Sequence, residues 1–234
     1  MQRYVDLTII ATKMPDKKEE MNLLFIINNG LIDENGAKDI VDSLFKNKKI
    51  QPLILVAFKG TTGDYGLEEM KELDTKQYKK FNEFVIDELY SFVEKKTIIR
   101  KFNSVAICGL GNAALSAFDI AWNNDEKIAK AGLFETYFNN STTRSDSLML
   151  ISIDKLRKRP NLKLWLTANN ADSPVLQFKK SIDGKKSIGE CTIATSKNAK
   201  IERHTNLAAF LGWAFQDNLF YSCNTACTTT LFYF

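Results

Sequence analysis

The sequence predicts an α/β fold: a central, mostly parallel sheet with helices on both faces, three layers in a single domain spanning residues 1–234. Three observations carry this expectation. Several short runs are apolar at every position, which a strand needs only when both of its faces are covered. Those runs alternate with stretches of helical periodicity, the rhythm of βαβ units. The chain has 234 residues and is 44% hydrophobic, enough to bury one such core.

Taken in order, residues 3–12 put Val5, Leu7 and Ile9 on one side and Asp6 and Thr8 on the other, the pattern of an edge strand, and Pro15-Asp16-Lys17-Lys18 turns the chain. Leu23-Leu24-Phe25-Ile26-Ile27 is a continuous apolar strand ending at Asn28-Asn29-Gly30. Ile40, Val41, Leu44 and Phe45 recur with helical spacing before a second buried-strand run, residues 52–58. A Gly-rich loop at 60–66 leads to the most regular helix, residues 74–94. Its apolar stripe is Tyr78, Phe81, Val85, Leu89 and Phe92, and its charged face is Lys79, Lys80, Glu83, Asp87 and Glu88.

Val105-Ala106-Ile107-Cys108 then enters the small-residue turn Gly109-Leu110-Gly111-Asn112-Ala113-Ala114. The helix after it carries Ala114, Ala117 and Ala121 at i, i+3 and i+7, a narrow face that lets it lie close against a sheet. Strands are expected at 131–134, 162–166 and 188–194. Helices are expected at 148–159 (stopped by Pro160), at 175–181, and at 207–215, just beyond His204. Residues 135–146 read as loop, and the last stretch, 223–234, mixes Thr with aromatics and has no assignable period.

Composition narrows the function. The net charge of +4 arises from 32 basic against 28 acidic residues, and the basic clusters are short: Lys46, Lys48 and Lys49; Arg157, Lys158 and Arg159. Without interleaved aromatics they read as solvated surface, so no nucleic-acid partner is expected. The four cysteines, Cys108, Cys191, Cys223 and Cys227, form no C-x-x-C pair and have no adjacent His, so neither a metal nor a cofactor is expected. Cys223 and Cys227, four apart near the end, are the one pair whose spacing leaves a bridge or metal ligation open. No run reaches the length of a membrane span and no signal peptide opens the chain, so it reads as cytoplasmic as it stands and without a membrane partner; a chain trimmed from an exported parent would read the same.

These residues, in this order, resemble the esterase D or putative esterase family of α/β-hydrolases, which includes feruloyl-esterase-like and enterochelin-esterase-like enzymes. The resemblance runs from about Val5 to Phe215. Residues 23–30 are similar to the family's strand and Asp-Gly or His-Gly turn, Asp64-Tyr65-Gly66 to its Glu-Tyr-Gly, and residues 115–123 to the helix after its G-F-S-x-G-G elbow. Glu202-Arg203-His204 resembles the segment that carries the triad histidine. The resemblance implies an α/β-hydrolase fold in which His204 and Asp172 are the triad base and acid. It also implies that the backbone at Asn112, with Asn29 and Gly30, forms the oxyanion hole.

The nucleophile is the departure. Aligning Gly109 with the first glycine of the elbow puts Gly111 where the serine stands. A serine esterase needs an oxygen nucleophile, a base to take its proton, an acid to orient the base and donors for the oxyanion. With the first missing, the expectation is a homologue without ordinary esterase turnover, holding a small ester or acyl ligand in the old cleft, with further copies of itself as the other open partner. The alternatives are slow hydrolysis by water activated at His204, or nucleotide binding, since Gly109-x-Gly111 approaches a dinucleotide fingerprint with Glu135 at about the right distance.

Overall fold

The computed structural model describes residues 7–15, 20–27, 34–58, 76–134, 161–168, 178, 190–195 and 203–216. Within them lie β1 (Leu7–Ala11), β2 (Asn22–Ile27), α1 (Glu34–Lys46), β3 (Leu53–Phe58), α2 (Lys76–Glu83), a π-helical stretch (Phe84–Leu89) and α3 (Tyr90–Thr97). After these come β4 (Val105–Leu110), α4 (Asn112–Asn123), β5 (Lys130–Phe134), β6 (Lys163–Ala168), β7 (Glu190–Thr195) and α5 (Arg203–Phe215). The expected helix at 148–159 lies outside the described residues. Of the one expected at 175–181 only Phe178 is described, helical and buried against Phe118.

The seven strands form one sheet in the order β1-β3-β2-β4-β5-β6-β7. Only β1 is antiparallel, pairing with β3 at the edge as its alternating sequence predicts; all other pairs are parallel. The all-apolar runs are the central strands. Every residue of β2, β3 and β4 is buried, and successive side chains feed opposite cores. Leu23, Phe25, Ile27, Val56, Phe58 and Ile107 meet the face covered by α2, α3 and α4. Leu24, Ile26, Leu55, Ala106 and Cys108 meet the face covered by α1 and α5.

The helix expected from 74 to 94 contains a feature that its periodicity hides. Across Phe84–Leu89 the helix widens, and the Tyr90 N–H donates to the Val85 carbonyl five residues back. The extra residue rotates the turns C-terminal to it, so Val93 is fully buried while Phe92, expected on the core stripe, is 45% exposed. Phe81, before the widened stretch, and Val85 and Leu89, within it, are buried as expected.

The helix ends on Ile98, whose φ of 62° is left-handed and whose side chain is 55% exposed. A β-branched residue is strained there, whereas glycine is not. Ile98→Gly is therefore expected to stabilise the fold by about 1 kcal/mol, raising the melting temperature by about 2–4 °C in calorimetry.

Candidate active site

The site is built around one sharp corner. β4 ends at Leu110, α4 begins at Asn112, and a single residue, Gly111, joins them. Its φ of 60° and ψ of −122° are a conformation that residues with a Cβ enter only under strain. The corner is locked on both sides: the Gly111 N–H donates to the Phe134 carbonyl at the end of β5 (2.9 Å), and its carbonyl accepts from the Ala114 N–H (3.1 Å).

Gly109 makes the corner possible. A Cβ built there would stand 2.4 Å from the Ala113 oxygen and 2.8 Å from the Ala114 nitrogen, so the first turn of α4 lies directly on the strand. Ala113, Ala114, Ala117 and Ala121 are all fully buried, which is the close helix–sheet contact that their spacing predicts.

Topology places this corner beside a switch point of the sheet. The chain passes from β2 over α1 to β3 on one side, then crosses back to β4 on the other side of β2. α1 and α4 cover opposite faces, so β2 and β4 flank the switch point at which open α/β sheets bind their ligands. Asn112 is the first residue of α4, and the first-turn N–H groups of a helix have no intrahelical acceptor and carry its positive end. Asn29, Gly30 and Asp172 lie outside the described residues, as do Glu135, Cys223 and Cys227.

His204 reaches the same edge from the far side of the sheet. At the other end of α5, the Ala214 carbonyl accepts from the Lys130 ammonium at the start of β5, and the Phe215 carbonyl accepts from the Gln51 N–H just before β3 (2.9 Å). The C-terminus of α5 is thereby fixed at the amino edge, while Phe210 packs edge-on against Phe134 at the end of β5 (5.7 Å between ring centres). Ten residues of helix before Ala214 span ~15 Å, the height of the sheet, and so carry the first turn of α5 to the carboxyl edge. His204 sits in that turn with its imidazole exposed. The helix begins at Arg203, four residues earlier than its apolar pattern suggests, because the first turn stands clear of the core and needs no apolar residue until Leu207.

Among the described residues, the nucleophilic side chains nearest to Gly111 in sequence are both enclosed. Cys108 is fully buried on the α5 side of the sheet, and burial pushes its thiol far above the ordinary range; Ser116 is fully buried on α4. Iodoacetamide at mildly alkaline pH should leave Cys108 intact in the folded protein and modify it after denaturation, as read by peptide mass spectrometry. Among the described residues, no cluster of three His, Cys, Asp or Glu is placed to hold a metal ion.

No family model matches the sequence, and no curated protein matches it at the sequence level. Solved structures do match in three dimensions. The chain superposes on an enterochelin esterase from Shigella flexneri with a TM-score of 0.69 at 12% identity, over 90% of this chain and 54% of that one. It superposes on an IroE-like serine hydrolase from Shewanella oneidensis with a TM-score of 0.67 at 16% identity, over 90% and 75%. A ferulic acid esterase gives 0.64 at 14%, over 90% and 98%.

The fold is that of an α/β-hydrolase. The chain spans about half the length of the enterochelin esterase it matches. The strand–turn–helix at Gly111 has the local geometry of a nucleophile elbow. A dinucleotide fingerprint would instead belong to the first βα turn of the parallel sheet, which here comes after β2, whereas Gly109 and Gly111 lie at the end of β4.

Proposed function

We propose that this α/β-hydrolase is an esterase-type homologue that has given up serine-ester hydrolysis and binds a small ester or acyl compound in the cleft above Gly111. One observation carries the reading: the residue at the apex of the elbow has the strained backbone of a nucleophile position and no side chain to attack with. The backbone donors around it do not depend on side chains, so an oxyanion or carbonyl oxygen still has N–H groups to meet at the start of α4. The esterases and the serine hydrolase among the structural neighbours support an ester or acyl group as the ligand class.

The test is steady-state hydrolysis of p-nitrophenyl butyrate beside a thermal shift with ethyl ferulate. No turnover above buffer is expected, together with a saturable rise in melting temperature. Sustained turnover would sink the proposal. The position of His204 at the same edge favours one rival, slow hydrolysis by water activated at its imidazole, and that rival predicts a rate that His204→Ala abolishes.

A further inference from the structure

Two basic stretches that are fifty residues apart in sequence meet at the amino edge of the sheet, opposite the elbow. The first, Lys46, Lys48 and Lys49, ends α1 and leads to β3; the second, Lys95, Lys96, Arg100 and Lys101, ends α3 and leads to β4. Because the strand order is β3-β2-β4, their entry points are two strand spacings apart, roughly 10 Å. A side-chain bridge ties them together: the Gln51 Oε1 accepts from the Asn103 Nδ2 and from the Asn22 Nδ2 of the strand between, both at 3.3 Å.

All seven cations are exposed, and none has an ion pair among the described residues. Among the described residues, the acids at this amino edge are Glu20, just before β2, the half-buried Glu94 on α3, and Asp125 and Glu126, ahead of β5. Large apolar side chains stand among the charges. Ile98 is 55% exposed between the two halves of the second stretch, and Met14, just beyond the Thr12 that bonds Leu53 at the start of β3, is 88% exposed.

The backbone adds an independent observation. Among the described residues, the two non-glycine positions with positive φ are Lys48 (54°) and Ile98 (62°), one in each stretch. Glycine would take either conformation without strain, so at both corners the fold bears a backbone cost to present a side chain, one cationic and one apolar, to solvent.

We propose that this edge is a docking surface for an anionic lipid bilayer, which the protein meets peripherally with the elbow cleft facing away from the membrane. Cations gather at anionic headgroups, and exposed apolar side chains among them gain by entering the interface. A nucleic acid would reward the charges alone. No helix among the described residues is long and apolar enough to cross a membrane, so the contact is with the surface.

The experiment is co-sedimentation of the intact protein with phosphatidylcholine vesicles, with and without about one third phosphatidylserine. Binding is expected only to the anionic vesicles and is lost in high salt. The quadruple variant Lys48→Glu, Lys49→Glu, Arg100→Glu, Lys101→Glu should weaken it at least about tenfold. Lys48→Gly combined with Ile98→Gly supplies the sharper arm, since it relieves both strained corners. It should melt higher than the wild type yet bind less, a combination that a merely structural role does not produce. Equal binding to both vesicle types, no binding to either, or unchanged binding by the glycine variant would overturn the proposal, as would a polyanion such as heparin being held far more tightly than the anionic vesicles.

Discussion

Gly109→Ala is expected to destabilise the protein by about 3 kcal/mol or more, lowering the melting temperature by about 6–12 °C. The new methyl would meet the Ala113 oxygen at 2.4 Å and the Ala113 carbon at 2.5 Å, and both are backbone atoms that no rotamer change can move. Relief would require α4 to lift from β4, opening the contact made by the fully buried Ala113, Ala114, Ala117 and Ala121. The same substitution at Gly212 is the internal control. A Cβ there meets nothing within 4 Å, and the position is inside α5, so Gly212→Ala should stabilise by about 0.5–1 kcal/mol. If the two substitutions shifted the melting point alike, the close seat of α4 on β4 would be refuted.

The second large effect is a gain. Gly111→Ser should restore an attacking oxygen at the apex, giving ester turnover on the order of 100-fold above the wild-type background, with the modified residue at position 111 identifiable by peptide mass spectrometry. The variant should also lose stability, by about 1–3 kcal/mol, because a Cβ is placed on a backbone at φ 60° and ψ −122°. Gly111→Ala separates the two consequences: the same loss of stability without the activity. Adding His204→Ala to Gly111→Ser should remove the gain if, as proposed, His204 in the first turn of α5 serves as the base. A stable Gly111→Ser variant without turnover would show that the base does not reach the apex.

Much of the fold was legible because burial on both faces leaves an unambiguous mark. The runs at 23–27, 53–58 and 105–110 are apolar at every position and became the three central strands. The alanine spacing of 114, 117 and 121 read correctly as a close helix–sheet contact, and the turn at Gly111 as a tight strand-to-helix corner. Where the pattern misled, the cause was local geometry that a fixed period cannot represent. The π-helical turn at Phe84–Leu89 replaced Phe92 by Val93 in the core. The first turn of α5 stands beyond the sheet edge and so carries no apolar signal.

The basic edge was illegible for a different reason. Each stretch alone is an ordinary solvated helix end; only the strand order β3-β2-β4 and the Gln51–Asn103 bond make them one surface. A short cluster read singly carries no such signal, because its meaning depends on contacts that sequence spacing does not record. The site residues divide similarly. Gly111 and His204 come to one edge by topology, whereas Asp172, Asn29 and Gly30 rest on the resemblance and fall outside the described residues.

That the elbow persists without its nucleophile is tested most directly by one measurement. It is the intact mass of the wild-type protein after incubation with an excess of a fluorophosphonate probe, which forms a stable adduct with an activated serine. The mass is expected to stay unchanged, because Gly111 offers no oxygen and the neighbouring Ser116 and Cys108 are fully buried. A stoichiometric adduct on the folded wild-type chain, at any residue, would contradict the claim.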